Sequence, residues 1–293
     1  MDHTVMQHSE WWPSPAKLNL FLHILGKYDN GYHQLQTLFQ LLDRGDELAF
    51  DVTNDGNITL NPSIPGVNDE DNLIVKAARL LQTHTGTDKG ANIRLKKSLP
   101  MGGGIGGGSS NAATVLVALN YLWQCGLSTA ELAGLGLRLG ADVPIFVEGR
   151  TGFAGGVGEH ISPADLDEQW YLVVNPGIHV GTADIFREPA LPRNTPPMEW
   201  HNYTFAATHN DCQSIVCKKH PEVAILLQWL LQFAPSRMTG TGACVFSVFS
   251  DEHSARQVLG KLPAEWSGFV AKGVNMSPLQ QKLKYVNEAS DMN

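Results

Sequence analysis

Apolar and polar positions alternate loosely over residues 14–25. Leu18, Leu20, Leu22 and Ile24 fall on one face of a predicted strand, and Lys17, Asn19, Phe21 and His23 on the other. Asp29-Asn30-Gly31 follows as a turn signal. Leu38–Leu42 and Glu47–Val52 read as two strands around a turn at Arg44-Gly45-Asp46, and Asn57–Leu60 as a further short strand. The period then lengthens. Leu73, Ile74, Ala77, Ala78, Leu80 and Leu81 recur at helical spacing behind Asp69-Glu70-Asp71, an acidic run suited to a helix start. After a strand at Ala91–Leu95, the positions Ala112, Val115, Leu116, Leu119 and Leu122 predict a helix from Ser109 to about Cys125. Ser128 and Glu131 form a capping-box pattern for a helix ending near Gly140. Pro144–Val147, Gly152–Ala154 and Trp170–Val174 read as strands.

The pattern shifts past Asn175-Pro176-Gly177. Glu188–Pro197 carries four prolines and reads as a loop. Helical spacing returns at Asp211–Lys219 and Glu222–Phe233, then a strand at Ala243–Phe249, a helix at Asp251–Leu262 and a strand at Gly268–Val274. Such an order predicts an α+β fold in two domains. The boundary falls between residues 160 and 170, giving an N-terminal domain of residues 1–165 and a C-terminal α+β domain of residues 166–293.

Bulk properties narrow the classes of function. At 293 residues, 43% hydrophobic and 17% charged, the chain can build ordinary globular cores. A formal net charge of −8 argues against broad nucleic-acid binding, which needs a basic face. An anionic small ligand remains compatible, because a helix N-terminus and a few lysines can hold phosphates in an acidic protein. Met1–Trp12 lacks the apolar stretch of a signal peptide, and no run of about 18 apolar residues exists to span a membrane. Cys125, Cys212, Cys217 and Cys244 form no Cys-x-x-Cys pair and no metal-type spacing. A reduced, cytoplasmic protein is expected, a monomer or weak homodimer with no membrane or nucleic-acid partner.

The sharpest local signal is Pro100-Met101-Gly102-Gly103-Gly104-Ile105-Gly106-Gly107-Gly108-Ser109-Ser110-Asn111, with six glycines in the seven residues from Gly102 to Gly108. Glycine permits left-handed backbone and close approach of a ligand to the main chain. The run opens a strong helix, whose free N–H groups and dipole favour phosphate. The hydroxyls of Ser109 and Ser110 can add hydrogen bonds to phosphate oxygens or hold a Mg²⁺-bound water. A flexible linker is the bland alternative, but a strand and a helix bound the run tightly. Gly102, Gly104 and Gly107 satisfy the dinucleotide spacing by counting alone, without the acidic strand end that such a site requires. No Gly-Lys-Ser/Thr follows, which excludes a Walker loop. Lys97, just ahead of the run, is within reach of a nucleotide or else an ordinary solvated lysine.

Two weaker constellations accompany it. Gly140-Ala141-Asp142-Val143-Pro144 sets an acid between a helix end and a strand start, where a cap or Asx-turn is the commoner role. Met238-Thr239-Gly240-Thr241-Gly242-Ala243-Cys244 is either a tight turn or a second lip of backbone and hydroxyl groups able to close over phosphates. Lys17 is ambiguous alone.

Together these pieces resemble the kinase superfamily of galactokinase, homoserine kinase, mevalonate kinase and phosphomevalonate kinase. Its signature loop looks like Pro100–Ala113 and its C-terminal glycine motif like Thr239–Cys244. Pro13-Ser14-Pro15-Ala16-Lys17-Leu18-Asn19-Leu20, Asp29-Asn30-Gly31-Tyr32-His33 and Gly268-Phe269-Val270-Ala271-Lys272-Gly273-Val274-Asn275 extend the likeness over nearly the whole chain, toward the branch acting on a cytidine-diphosphate sugar alcohol. The resemblance implies ATP and Mg²⁺ as cofactors and an active site in the cleft between two α+β domains. Asp142 would be the general base and Lys17 its cationic neighbour. Tyr32 and Phe186 would stack on the cytosine and His33 would bond its edge. Asn19 would place the polyol and Thr182 the diphosphate, with Thr239, Gly240 and Thr241 closing over the substrate. Some relatives hold Mg²⁺ with a loop serine and a separate glutamate, and no counterpart of that glutamate is evident. A sister kinase for another small alcohol, or an inactive sensor of a phosphorylated metabolite, stay open as alternatives.

Overall fold

The computed structural model describes residues 10–291, so the signal-peptide reading of Met1–Trp12 lies largely outside the described residues. The chain opens with two long antiparallel strands, β1 (Trp12–Lys27) and β2 (His33–Thr53). β3 (Ile58–Asn61), the helix α1 (Leu73–Thr85), β4 (Gly90–Lys96) and the helices α2 (Gly107–Leu122), α3 (Thr129–Leu137) and α4 (Val143–Glu148) follow. Next come β5 (Gly152–Gly155), β6 (His160–Pro163), β7 (Trp170–Asn175), α5 (Thr182–Arg187), α6 (Gln213–Lys219) and α7 (Pro221–Leu230). β8 (Ser236–Met238), β9 (Val245–Phe249), α8 (Glu252–Leu259), β10 (Ser267–Val274) and α9 (Pro278–Asp291) complete it. The strands form one sheet in the order β3-β4-β2-β10-β7-β9-β8, with β1 and β5 also on β2 and β6 on β5. Helices and a mixed sheet in this arrangement make an α+β fold.

The first strand departs from simple alternation. Asn19 pairs with Phe39 but Leu22 pairs with Thr37, so three steps of β1 span two of β2. That extra residue is a β-bulge, and it exchanges the faces of the strand. Leu18, Leu20 and Phe21 therefore share one buried cluster. Leu22 and Ile24 join another, and Leu22 lines the same cavity as Lys17 and Asn19. The bulge frees backbone groups that must find other partners. Leu22 N–H donates to His209 O at 3.0 Å, and Asp211 N–H to Leu22 O at 2.9 Å. The Arg237 guanidinium donates to Leu20 O.

Two further expectations fail for physical reasons. Arg44-Gly45-Asp46 is no turn, because β2 runs through it unbroken. A Cβ on Gly45 would lie 2.0 Å from Ser14 O, so the glycine serves close approach of two strands instead. Pro144–Val147 is not a strand but part of helix α4, with proline in its first turn and the left-handed Gly149 closing it. All of Val143–Val147 is buried, and a short apolar run of that kind reads alike for a strand and a sunken helix. The terminal helix α9, absent from the sequence reading, packs Leu279 into the same cluster as α1 and α2.

Three apolar clusters hold the molecule. One lies among α1–α4, β2 and β4. A second lies between α5–α8 and the strands β7, β9 and β10. The third joins Leu18, Leu38 and Leu42 to Tyr171, Val173 and Phe246, binding the early strands to the late ones behind the cleft.

Candidate active site

Lys17 leaves the buried start of β1 and is almost wholly enclosed. Its ammonium lies 3.0 Å from Asp142 Oδ2, donates to Asn19 Oδ1 at 2.6 Å and to Gly104 O at 3.3 Å, and sits 5.1 Å from the Phe39 ring centre. A buried cation needs such a set of acceptors, since leaving it unpaired costs several kcal/mol. Asp142 occupies the residue before helix α4, the place of a cap. Its side chain makes no capping bond and turns to Lys17 instead, remaining 36% exposed toward the cleft. A carboxylate that forgoes its helix for a buried lysine and stays open to a cavity has the geometry of a working group.

Asn19 is fixed from three sides. Its N–H donates to Thr239 Oγ1 at 2.9 Å, its Nδ2 to Thr37 Oγ1 at 2.9 Å, and its Oδ1 accepts a hydrogen bond from Lys17 Nζ. Thr37 in turn donates to Phe21 O at 2.6 Å, at the bulge. Thr37 was not picked out in the sequence, where a threonine in an apolar strand carries no signal.

The glycine loop is stitched to the second lip. Cys244 N–H donates to Gly103 O at 3.1 Å, and Thr239 Oγ1 reaches Gly104 O at 3.4 Å. Gly104 has φ +74°, and a Cβ there would stand 2.4 Å from Thr239 O. Gly106, also at φ +74°, would place a Cβ 2.7 Å from the Phe146 ring and 3.1 Å from the Lys17 side chain. Helix α2 starts at Gly107, and its first intrahelical bond from this end is Ser110 N–H to Gly106 O at 2.8 Å. The N–H groups of Gly107, Gly108 and Ser109 precede it and point out of the helix start.

The three polar residues after the glycines part company. Ser109 faces the open space. Ser110 is fully buried and accepts from Ser14 Oγ at 2.9 Å. Asn111 donates to Ser14 Oγ at 2.8 Å and to Asp46 Oδ2 at 3.0 Å. Asp46 is a hub that the sequence reading assigned to a turn. It also accepts from Ser98 N–H at 2.7 Å, Leu99 N–H at 2.8 Å and Lys97 Nζ at 2.7 Å, locking the approach to the loop. An aspartate following a strand glycine is the only trace of it in the sequence.

Two cavities meet at this loop. One, of about 330 Å³, is lined by Lys97, Pro100, Met101 and the loop through Gly108, with Ile64, Val67 and Leu73 as an apolar wall. The other, of about 300 Å³, is lined by Lys17, Asn19, Leu22, Thr37, Phe39, Asp142, Thr182, Phe186, Gly240 and Thr241. Gly104 and Ser109 line both. Thr182 and Thr241 face each other with their hydroxyls 2.9 Å apart. Ile64 and Val67 escaped notice in the sequence, although two apolar residues in a Pro/Gly-rich loop could have marked a ligand wall.

Three aromatic side chains named in the sequence lie at or beside the second cavity. His33 is buried and stacks on Phe186, with ring centres 5.0 Å apart and planes 27° from parallel. Arg193 Nε donates to His33 Nε2 at 2.9 Å. Tyr32 is 64% exposed and lines an adjoining cavity with Tyr28 and Arg138, which shares Ala141 and Val157 with the second cavity. Among the described residues no group of three His, Cys, Asp or Glu side chains could hold a metal ion, and no helix is long and apolar enough to cross a membrane.

A glycine loop at a helix start, set between two cavities and faced by a lysine–aspartate pair, is the layout of a small-molecule kinase. The family models for the GHMP kinases N terminal domain and the GHMP kinases C terminal match residues 72–150 and 198–268. The chain is 62% identical over 290 residues to the 4-diphosphocytidyl-2-C-methyl-D-erythritol kinase of Pseudoalteromonas atlantica, covering 99% of this chain and 100% of that one. It is 56% identical over 278 residues to the same-named protein of Shewanella woodyi, covering 94% and 98%. A crystal structure of 4-(cytidine 5'-diphospho)-2C-methyl-D-erythritol kinase superposes with a TM-score of 0.80 at 30% identity, over 90% of this chain and 100% of that one. The fold alone is shared with a mevalonate kinase of Methanococcus jannaschii, at a TM-score of 0.65 and 16% identity over 92% of this chain and 100% of that one. The chain belongs to the 4-diphosphocytidyl-2-C-methyl-D-erythritol kinase family of the GHMP kinases, and it is an ATP-dependent kinase.

Proposed function

We propose that this enzyme transfers the γ-phosphoryl group of ATP to the 2-hydroxyl of 4-diphosphocytidyl-2-C-methyl-D-erythritol, a middle step of the non-mevalonate route to isoprenoid precursors. The carrying observation is the meeting of two cavities at Gly104 and Ser109, with the Lys17–Asp142 pair on one side of that wall only. Such a layout suits a donor on the loop and an acceptor beside the pair. The lobes of residues 1–165 and 166–293 supply the two sides of this cleft.

Phosphoryl transfer needs alignment and charge stabilisation more than covalent help. ATP fits the first cavity: Gly107 and Gly108 carry no side chain into it, the helix start offers N–H donors, and Ile64, Val67 and Leu73 suit a base. Lys97, held by Asp46, supplies a positive charge at its margin. Mg²⁺ would accompany the phosphates, which provide most of its oxygens, with Ser109 the loop hydroxyl placed to take part. On the acceptor side Asp142 receives the hydroxyl proton, and Lys17, 3.0 Å from it, faces the developing negative charge. Asn19, Thr182 and Thr241 present polar groups to the polyol and diphosphate, and Phe186 with His33 forms a stacking surface for the base.

The test is ADP release by purified enzyme with the cytidine-diphosphate substrate, mevalonate or homoserine as acceptor. Turnover confined to the first is expected. Turnover with another alcohol, or ATP hydrolysis indifferent to acceptor, refutes the reading.

A further inference from the structure

We infer that Arg193 is a positioning residue for base recognition: it fixes His33 in one neutral tautomer and clamps the helix end that carries Phe186. The inference rests on the proposed base site.

Arg193 lies in the four-proline loop, a segment with no helix or strand to order it. Its guanidinium nevertheless meets acceptors on several sides. Nη2 donates to Phe186 O at 3.1 Å and Glu188 O at 2.9 Å, and Nη1 to Leu191 O at 2.9 Å. Those carbonyls lie at and beyond the end of α5, where the last carbonyls of a helix lack partners of their own. One side chain thus ties the backbone of Phe186 to the following loop. Its remaining direction, Nε, donates to His33 Nε2 at 2.9 Å.

That last bond decides the chemistry of the imidazole. A guanidinium has only donors, so Nε2 must offer its lone pair and the ring proton must sit on Nδ1. His33 then presents a fixed N–H and stacks flat on Phe186. A second proton would break the bond and set two cations in contact. Burial, and after it the charges of Arg193 and of Lys27, which pairs with His33 across β1 and β2, hold the imidazole below its ordinary value. Nearby on α5, Asp184 faces Arg187, and the Glu188 carboxylate is taken up by Lys219, so neither offsets these cations at the ring. A neutral donor of known direction, against an aromatic face, is what discrimination of a nucleobase edge requires.

The experiment compares wild type, Arg193→Met, Arg193→Lys and Phe186→Ala. It reads the KM of each substrate, kcat, and the ring-nitrogen shifts of His33 by NMR from pH 5 to 8. Arg193→Met should raise the KM for the cytidine substrate about tenfold, as loss of one oriented polar contact does, and leave the KM for ATP unchanged. His33 should lose its single tautomer and titrate at higher pH, so that the same KM rises further on acidification. Arg193→Lys, which keeps the charge without the fork, should restore the low titration but not the tautomer. An unchanged His33 signal in Arg193→Met overturns the inference. So does an equal rise in both KM values, which would mark a merely structural role. If Phe186→Ala raises the cytidine-substrate KM while Arg193→Met does not, this inference alone falls. If neither does, the proposed base site falls with it.

Discussion

Replacing Gly104 by alanine should disable the enzyme while leaving it folded. The new methyl group would lie 2.4 Å from Thr239 O and 3.0 Å from Gly242 O, both backbone atoms of the second lip. An ordinary carbon contact is about 3.5 Å, so the loop and lip must separate by roughly 1 Å. The φ of +74° adds strain of about 1 to 2 kcal/mol for any residue with a Cβ. That is a modest part of a stability of about 5–15 kcal/mol, so the fold survives. The same displacement moves Gly104 O away from Lys17 Nζ and opens the wall between the two cavities. A shift of about 1 Å at a reacting centre costs on the order of a hundredfold in rate, close to 3 kcal/mol of barrier. Steady-state ADP release with both substrates saturating measures kcat, and chemical denaturation measures stability. Gly134→Ala is the control, because that glycine lies on the exposed face of α3 with nothing near its would-be Cβ. It should keep full kcat and gain about 0.5–1 kcal/mol of stability from helix propensity. A Gly104→Ala enzyme with kcat within a factor of two of wild type would refute the shared-wall reasoning.

Asp142→Asn and Lys17→Met should each lower kcat by about a thousandfold or more with native circular dichroism, as expected for groups acting on charge in the transition state; near-normal turnover in either removes the pair from the chemistry. Tyr32→Ala should raise the KM for the cytidine substrate without changing that for ATP if the adjoining cavity admits part of the base or ribose, and equal losses for both substrates would speak against it. Arg237 is a buried cation whose guanidinium donates to Leu20 O, Phe205 O and Thr208, with its value lowered to about 10 by burial. Arg237→Met should cost about 3 kcal/mol in urea unfolding, since the bulge carbonyl and its neighbours lose their donor; a loss under 1 kcal/mol would contradict that. His23, buried beneath the bulge, is lowered from 6.5 to about 4, first by burial and then by His209. The unfolded chain therefore binds the extra proton first, and stability should fall as pH drops from about 6.5 to 4, by roughly 3 kcal/mol in all. His23→Leu should flatten that slope, measured by denaturation at each pH, and an unchanged slope would assign the effect elsewhere.

Much of this enzyme is legible in one dimension. The glycine run reads as a loop of close approaches ahead of a helix, and Gly102, Gly104 and Gly106 do take the left-handed backbone that favours glycine. Its phosphate chemistry follows from the helix start it adjoins. The capping box at Ser128 and Glu131 forms as its spacing predicts, both reciprocal bonds being present. What stayed hidden were features defined by partners distant in the chain. Asp142 looked like a cap until Lys17 drew its carboxylate away, and Asp46 looked like a turn residue until four donors from α2 and from the loop between β4 and α2 converged on it. The face that Leu22 presents was misjudged for the same reason. Alternation is a local rule, whereas the bulge that reverses it is held by Arg237 and by backbone more than 180 residues away. Residue type and short spacing carry conformational preference and local hydrogen bonding, so the sequence by itself determined most of the elements and the glycine loop. Pairing across the sheet decided which polar side chains ended up buried, opposed and charged, and that choice set the Lys17–Asp142 pair beside the glycine loop.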